Sequence, residues 1–547
     1  MKINRFYVLV LVLVLVATAC VQRTAAPSGA FVIEAESSVR MYLDNGSAFS
    51  QSLKKDGLDI YTNFITTGNI KNHMVEAAAG NYSEAQAFIV LSPAWIPTAM
   101  TGGTTIATSK MVIGVTAPEM SALGLVPGQI VPVGSLVEWI NNKAMNPVVC
   151  NPTQCNDGFL FYSSVLMHFS GQTSLDINLT DGSEESKQIL AQAQTLMKNL
   201  VISTSSSGDA RAEMYKSISE GGSYNAWWSY EPEIADLNKQ LVAEGKLPLY
   251  VVYVEGAIDA AQTLVLNPKY AKDEAVKAKF DKLVAFLIGT VKNNASQMAI
   301  GATGWRPSLY RVPVSMETLK PEWGFQADPM VSTSFAPRFD VAMPLNRTYV
   351  SVIRKPVIIF YFKDFSGSMD TNGGKKALLE ASRYLFSDAA STDFLEATYG
   401  DVTQVFLFDH TCVPLPEVLD ESPSGYKTLL GQIEGAALGG NTSMYACGVV
   451  GLRLMAEKYK DMCSTTHNCA FVFMTDGGDN DCDQTPCTSV MDFNQAKNDP
   501  GLGLAGVPVW VIPFGSNVNW DQLNSISGVK ICKDTIIACF QKIKGSR

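Results

Sequence analysis

Histidine is scarce. The 547-residue chain has four, His73, His168, His410 and His467, and none stands in a nucleophile motif. The patterns G-x-S-x-G, H-E-x-x-H and G-x-x-x-x-G-K-[ST] are all missing, which removes the usual sequence grounds for a serine hydrolase, a zinc protease or a P-loop phosphohydrolase. Carboxylate pairs stay open as a catalytic device, because only folding brings them together. Basic clusters are missing too. No run of Lys and Arg exceeds three residues and the net charge is −10, which argues against a nucleic-acid partner. The apolar run 6–17 falls short of the roughly 20 residues needed to span a bilayer. No short repeat or low-complexity tract interrupts the chain.

What is present is a globular composition, 47% apolar and 17% charged, at a length that implies two to four domains. Lys2 and Arg5 precede the apolar run, as in a secretory signal. The run ends in ATAC, small residues before Cys20, and this resembles the lipobox of bacterial lipoproteins. That resemblance implies a signal peptide over 1–19, lipidation of Cys20 and a tether over 20–29. The alternative is a plain secretory signal cut near Ala19. Eleven cysteines become ten once Cys20 carries lipid, an even number that suits up to five disulfides in an exported protein. Zinc at Cys463, Cys469, Cys482 and Cys487 is the rival reading, with poorer spacing and no histidine pair.

From residue 30 to about 305, short apolar runs alternate with amphipathic stretches. The runs AFVIEAES (30–37), LDIYTNFI (58–65), AFIVLS (87–92), MVIGVT (111–116), AWWSYE (226–231) and LYVVYVE (249–255) read as strands. Residues 186–200 and 273–294 read as helices. The expected fold class is α/β with mostly parallel sheets. Residues 306–356 hold seven prolines and read as an extended connection. Over 357–547 the runs VIIFYF, TQVFLF, CAFVFMT and VPVWVIPF are nearly continuous in apolar residues, as in central strands covered on both faces. Helices between them, such as 375–386, complete a doubly wound domain.

The stretch YFKDFSGSMD (361–370) leaves such a strand and presents Asp364, Ser366 and Ser368. TDGGDND (475–481) follows another strand, and GGNTSMYACGV (439–449) lies between them as a Gly-rich turn entering a helix. In an open parallel sheet all three loops fall on the carboxyl rim, where ligands bind. Hydroxyls and one or two carboxylates suit a hard cation. These residues resemble the metal-ion-dependent adhesion site of the von Willebrand factor A domain family. The resemblance implies that Asp364, Ser366, Ser368, Thr442 and Asp476 hold a divalent cation, Mg²⁺ or alternatively Mn²⁺ or Ca²⁺. It also implies a protein or matrix partner whose acidic group completes the coordination shell. Two positions depart from the family pattern: Lys363 replaces an apolar residue, and Asn441 sets Thr442 back, leaving Ser443 as a lesser candidate. A domain of this fold that has lost its metal is the alternative. The second acidic cluster, DNDCD (479–483), lacks the Gly and Glu of an EF-hand and reads as a solvated loop.

The segment 30–305 resembles two-lobed bacterial extracellular solute-binding proteins, on AFIVLSPAW (87–95), NPTQCNDG (151–158), WWSYEPEIADL (227–237) and LYVVYVEGAID (249–259). That resemblance implies a periplasmic-binding-protein-like region with a small-solute cleft lined by Ser37, Ser38, Thr67, Ser92, Asn156, Tyr230 and Glu231. The NPTQCNDG loop departs from the family at its Asp and Ser, so no anion specificity follows. Together the readings describe a non-enzymatic, extracytoplasmic binding and adhesion protein, held to the membrane by lipid alone. A transporter-associated solute receptor and a metal-dependent hydrolase are the competing readings.

Overall fold

The computed structural model describes residues 26–545 apart from 101, 176–178, 180, 201, 205, 291, 310, 372, 421, 481–487 and 517. The signal segment, Cys20, Cys482, Cys487 and the end of the DNDCD cluster lie outside the described residues. The chain divides into two compact units, Ala25–Arg354 and Lys355–Gly545. No described helix is long and apolar enough to cross a membrane.

The first unit contains β1 (Phe31–Ala35), β2 (Ile60–Phe64), β3 (Ala87–Val90), β4 (Thr104–Ser109), β5 (Met111–Val115), β6 (Ile130–Pro132), β7 (Pro147–Cys150), β8 (Ile202–Thr204), β9 (Ala226–Tyr230), β10 (Tyr250–Glu255), β11 (Ala260–Leu266) and β12 (Arg306–Pro307). They form two six-stranded sheets, ordered β12-β4-β11-β3-β1-β2 and β6-β10-β5-β9-β7-β8. The chain crosses between the sheets at Lys110 and again over 256–259, so each sheet with its helices makes one lobe. Pairing is parallel where β1 meets β2 and β3, and where β7 meets β8 and β9. It is antiparallel at β11 and β5, the strands on the far side of each crossing, so the sheets are mixed rather than mostly parallel. Three helices position the rim residues: α1 (Thr67–Ala78), α2 (Asn156–Ser170) and α3 (Glu231–Ala243).

Residues 306–356 do not form an extended connection. They include β12 and a helix over Phe339–Thr348 with Pro344 inside it, and all but the last two belong to the first unit. Leu319, Trp323 and Phe325 are buried in the core of the second lobe. Burial of these apolar side chains outweighs the tendency of proline to keep the backbone extended.

The second unit contains β13 (Val357–Asp364), β14 (Val402–Phe408), β15 (Cys412–Pro414), β16 (Val418–Leu419), β17 (Asn468–Thr475), β18 (Val509–Pro513) and β19 (Val529–Ile531), with the main sheet ordered β15-β14-β13-β17-β18-β19. Only the edge strands β15 and β16 run antiparallel. Alternate side chains of β13 serve opposite faces, as strand geometry requires. Ile359 and Tyr361 pack with Leu378 and Leu385 of α4 (Gly374–Leu385) and with Phe540 and Ile543 of α7 (Ile536–Gly545). Ile358, Phe360 and Phe362 pack with Leu452 and Met455 of α5 (Met444–Thr465). The short helix α6 (Trp520–Asn524) follows β18. This is a sheet with helices on both faces, and it explains why the strands read as unbroken apolar runs.

Four disulfides join described cysteines: Cys150–Cys155, Cys412–Cys447, Cys463–Cys469 and Cys532–Cys539. The third pairs two members of the postulated zinc set with each other, which removes both as thiolate ligands.

Candidate functional sites

The carboxyl rim of the second unit gathers the residues of the DFSGSM loop. Asp364 ends β13, and its Oδ1 accepts from the Ser366 amide at 2.8 Å. Its Oδ2 accepts from the Thr475 hydroxyl at 2.5 Å, which ties β13 to the end of β17. The Ser366 and Ser368 hydroxyls lie 3.1 Å apart. The Gly-rich turn is sewn to this loop by Gly367 N–H donating to the Gly440 carbonyl at 3.1 Å and Gly439 N–H donating to the Phe365 carbonyl at 2.8 Å. Thr442 belongs to that turn. Its amide donates to Asn480 Oδ1 at 2.7 Å, and the Asn480 amide returns a bond to the Thr442 carbonyl at 3.1 Å. Asp476, buried at the end of β17, lies near enough to disturb Asp364 electrostatically.

Asp364 is pushed up to about 6, first by burial and finally by the charge of Asp476, against hydrogen bonds from Ser366 and Thr475 that pull it down. Two carboxylates on one rim favour a positive charge between them. Asp364, Ser366, Thr442 and Asp476 are all buried while Ser368 is exposed, so the oxygens border the surface at one point. The buried Ser443 hydroxyl, one residue past Thr442, has no hydrogen-bond partner. An all-oxygen donor set with an orphaned hydroxyl beside it fits a hard divalent cation.

Two side chains here behave differently from their sequence reading. Lys363 is fully buried in β13, its ammonium donating to Ser382 Oγ at 2.8 Å and lying over the rings of Tyr361 and Phe386. Burial alone lowers it to about 7. Asp479, read as part of a solvated loop, is largely buried and accepts from the Tyr445 amide in the first turn of α5 at 2.9 Å. The positive end of that helix holds the carboxylate in place. Such a cap is invisible in sequence, because Asp479 and α5 are joined only by the fold.

In the first unit the rim residues come from both lobes. Ser37 and Ser38 form the turn after β1, and the Ser38 hydroxyl is buried without a partner. Thr67 opens α1, and its hydroxyl is likewise buried and unpartnered. The first turn of α1 touches the loop before α2, where Gly68 N–H donates to the Gln154 carbonyl at 3.2 Å. A Cβ on Gly68 would lie 2.8 Å from the Thr153 carbonyl oxygen, a backbone atom that cannot rotate aside, so glycine suits this approach. Ser92 accepts from the Ala94 amide at 3.2 Å. Asn156 opens α2 and spans the lobes: it donates to the Leu91 carbonyl at 3.2 Å and to Tyr230 at 3.1 Å, and it accepts from Trp95 Nε1 at 2.9 Å. The Cys150–Cys155 disulfide bridges β7 to the N-cap of α2 and fixes the loop that presents Asn156.

Glu231 sits apart from this group in what it does. Its carboxylate takes Arg306 in two bonds of 2.7 and 2.6 Å, the Tyr253 hydroxyl at 2.8 Å and the Lys110 amide at 3.2 Å. Lys110 also pairs with Asp259 at 2.7 Å. Both crossings between the sheets are therefore pinned to one ionic cluster, with Glu231 at its centre. Glu36, Asp157, Trp95 and Trp305 were not singled out in the sequence, yet they crowd the same rim. Burial, then the charges of Glu36 and Asp157, hold Tyr230 well above its ordinary range. The Tyr230 and Trp305 rings lie 5.4 Å apart. Glu36 directly precedes the Ser-Ser pair and Asp157 directly follows Asn156, so adjacency to a rim residue was the available signal.

No family model matches the chain, and no curated protein matches it. Among solved structures, it is similar to the periplasmic binding protein P5PA at 12% identity and a TM-score of 0.39, over 60% of this chain and 100% of that one. The Atu4243–GABA receptor matches at 11% identity and a TM-score of 0.40, over 60% and 98%. The apo ferric-ion-binding protein A of Pasteurella haemolytica matches at 12% identity and a TM-score of 0.38, over 58% and 93%.

Proposed function

We propose that this chain is an extracytoplasmic binding and adhesion protein, anchored by lipid on Cys20, that joins a solute-binding unit to a cation-dependent adhesion unit of the von Willebrand factor A type. The observation that carries the reading is the hydrogen-bonded DFSGSM loop set against the Thr442 turn and Asp476 on one carboxyl rim. In this reading Ser366, Ser368 and Thr442 hold Mg²⁺ or a similar divalent cation, with Asp364 and Asp476 supplying charge. The cation supplies an electrophilic coordination position, and an acidic side chain of a protein or matrix partner fills it. The role is non-catalytic. The test is adhesion of cells displaying the protein to immobilised matrix proteins, in Mg²⁺ and in EDTA. Chelation and Asp364→Ala should abolish adhesion alike, and Cys20→Ser should release the protein from the membrane fraction. Adhesion undiminished in EDTA would refute the reading.

A solute role for the first unit is favoured by a separate observation. Ser38 and Thr67, on turns that meet the opposite lobe's rim, keep buried hydroxyls without partners, and buried polar atoms are ordinarily satisfied. A transporter-associated receptor would use the same unit.

A further inference from the structure

Thr442 carries one of the candidate cation ligands, and its turn is also held from the far side of the rim. Asn480 clamps it twice: the Thr442 amide donates to Asn480 Oδ1 at 2.7 Å, and the Thr442 carbonyl accepts from the Asn480 amide at 3.1 Å. With both backbone groups engaged, Thr442 cannot turn and carry its hydroxyl away without breaking a bond. Three residues on, the Tyr445 amide donates to Asp479 Oδ2 at 2.9 Å. The turn therefore hangs on two neighbouring residues, Asp479 and Asn480, of a segment that has no regular structure of its own.

Gln522 in α6 holds that segment. Its Oε1 accepts from the Asp479 amide at 2.8 Å, and its Nε2 donates to the Asp479 carbonyl at 2.9 Å. One side-chain amide thus takes both backbone groups of one residue, as a neighbouring strand would. Asn519 steadies the grip. Its Nδ2 donates to Gln522 Oε1 at 3.0 Å, and its own amide donates to the Asp476 carbonyl at 2.8 Å. The Tyr445 hydroxyl donates to the Gln522 carbonyl at 3.1 Å and closes a ring of bonds. The ring joins segments 38 and 43 residues apart in the chain. Tyr445 and Asp479 are both buried, so water does not readily replace these bonds.

We infer that Gln522 is a positioning residue for the cation site: through Asp479 and Asn480 it holds the Thr442 turn on the rim. The inference rests on the reading that this rim takes a divalent cation.

The test combines calorimetric titration of Mg²⁺ with amide hydrogen exchange in the metal-free mature protein. Gln522→Met keeps the length of the side chain and removes both of its bonds to Asp479. It should weaken Mg²⁺ binding at least tenfold and speed exchange of the Thr442 and Tyr445 amides at least tenfold, with the β13 and β17 amides unchanged. If that variant fails to fold, the exposed Asn480 offers a second. Asn480→Ala should reproduce both effects, and Asn480→Asp, which keeps the acceptor for the Thr442 amide, should restore slow exchange there. The double variant Gln522→Met with Asn480→Ala should lose less than the product of the two single losses, since either break opens the same ring. Wild-type Mg²⁺ affinity in a folded Gln522→Met protein, or wild-type exchange at Thr442 in it, would overturn the inference and leave the cation reading intact. Absence of Mg²⁺ binding in the wild type would overturn the cation reading, and the inference with it.

Discussion

Glu233→Gln should stabilise the first unit in a pH-dependent way, and the size of the effect follows from its surroundings. Glu233 lies in the first turn of α3, 7% exposed. Burial first, then the charges of Asp236 and Asp157, push it up from 4.5 to about 7, while Arg211 pulls the other way. The folded chain therefore holds this proton more tightly than the unfolded chain between about pH 4.5 and 7. Its contribution to stability is complete below the unfolded value and is lost as pH rises through the folded one. The loss amounts to about 3 kcal/mol by pH 8, about 0.8 kcal/mol at pH 5 and about 0.2 kcal/mol at pH 4. Glutamine keeps the shape and cannot ionise, so the variant should gain those amounts relative to wild type. Urea unfolding, read by pulsed hydrogen exchange at the amides of β9 and β10, reports on this unit alone. A gain that is the same at pH 4 and pH 8, or no gain at pH 8, would refute the reasoning.

Other outcomes follow from the same structure. Arg306→Met leaves the Glu231 carboxylate buried without its cation and should cost about 3–5 kcal/mol in the first unit's unfolding free energy. The double variant with Glu231→Gln should recover most of that, and a thermal melt of each variant checks it. Gly439→Ala places a Cβ 1.8 Å from Asp409 Oδ2 and 2.6 Å from its Cβ, so the Gly-rich turn and Asp409 must move apart. Divalent-cation affinity should fall at least tenfold while far-ultraviolet circular dichroism stays unchanged. Unaltered affinity would show that the turn does not position Thr442 for the cation.

How much of this was legible depended on whether the signal was local. The strands β13 and β17 stood out because both faces are covered, which makes each an unbroken apolar run. Strand β13 nevertheless continues through Lys363 to Asp364, paired there with Leu407 and Phe408. A lysine ordinarily ends an apolar run, and here Ser382 from α4 accommodates it. Strands β4 (TTIATS) and β11 (AAQTLVL) were missed, since Thr, Ala and Gln give neither a continuous run nor a clean alternation. In the second unit the candidate cation residues could be read because each loop directly follows a strand or opens a helix. In the first unit the balance of the rim was hidden. Glu36, Asp157 and Tyr230 are far apart in sequence, and their mutual influence exists only after the lobes meet. Glu231 was legible as a rim residue but not as the centre of the ionic cluster, because Arg306 lies 75 residues further along the chain.

The central claim is that Asp364, Ser366, Ser368, Thr442 and Asp476 together hold one divalent cation. Calorimetric titration of Mg²⁺ and Mn²⁺ into the wild-type mature protein and into Asp364→Ala tests it most directly, with circular dichroism to establish that both are folded. One saturable site is expected in the wild type and none in the variant. Equal cation affinity in two folded proteins would contradict it and leave DFSGSM an ordinary turn.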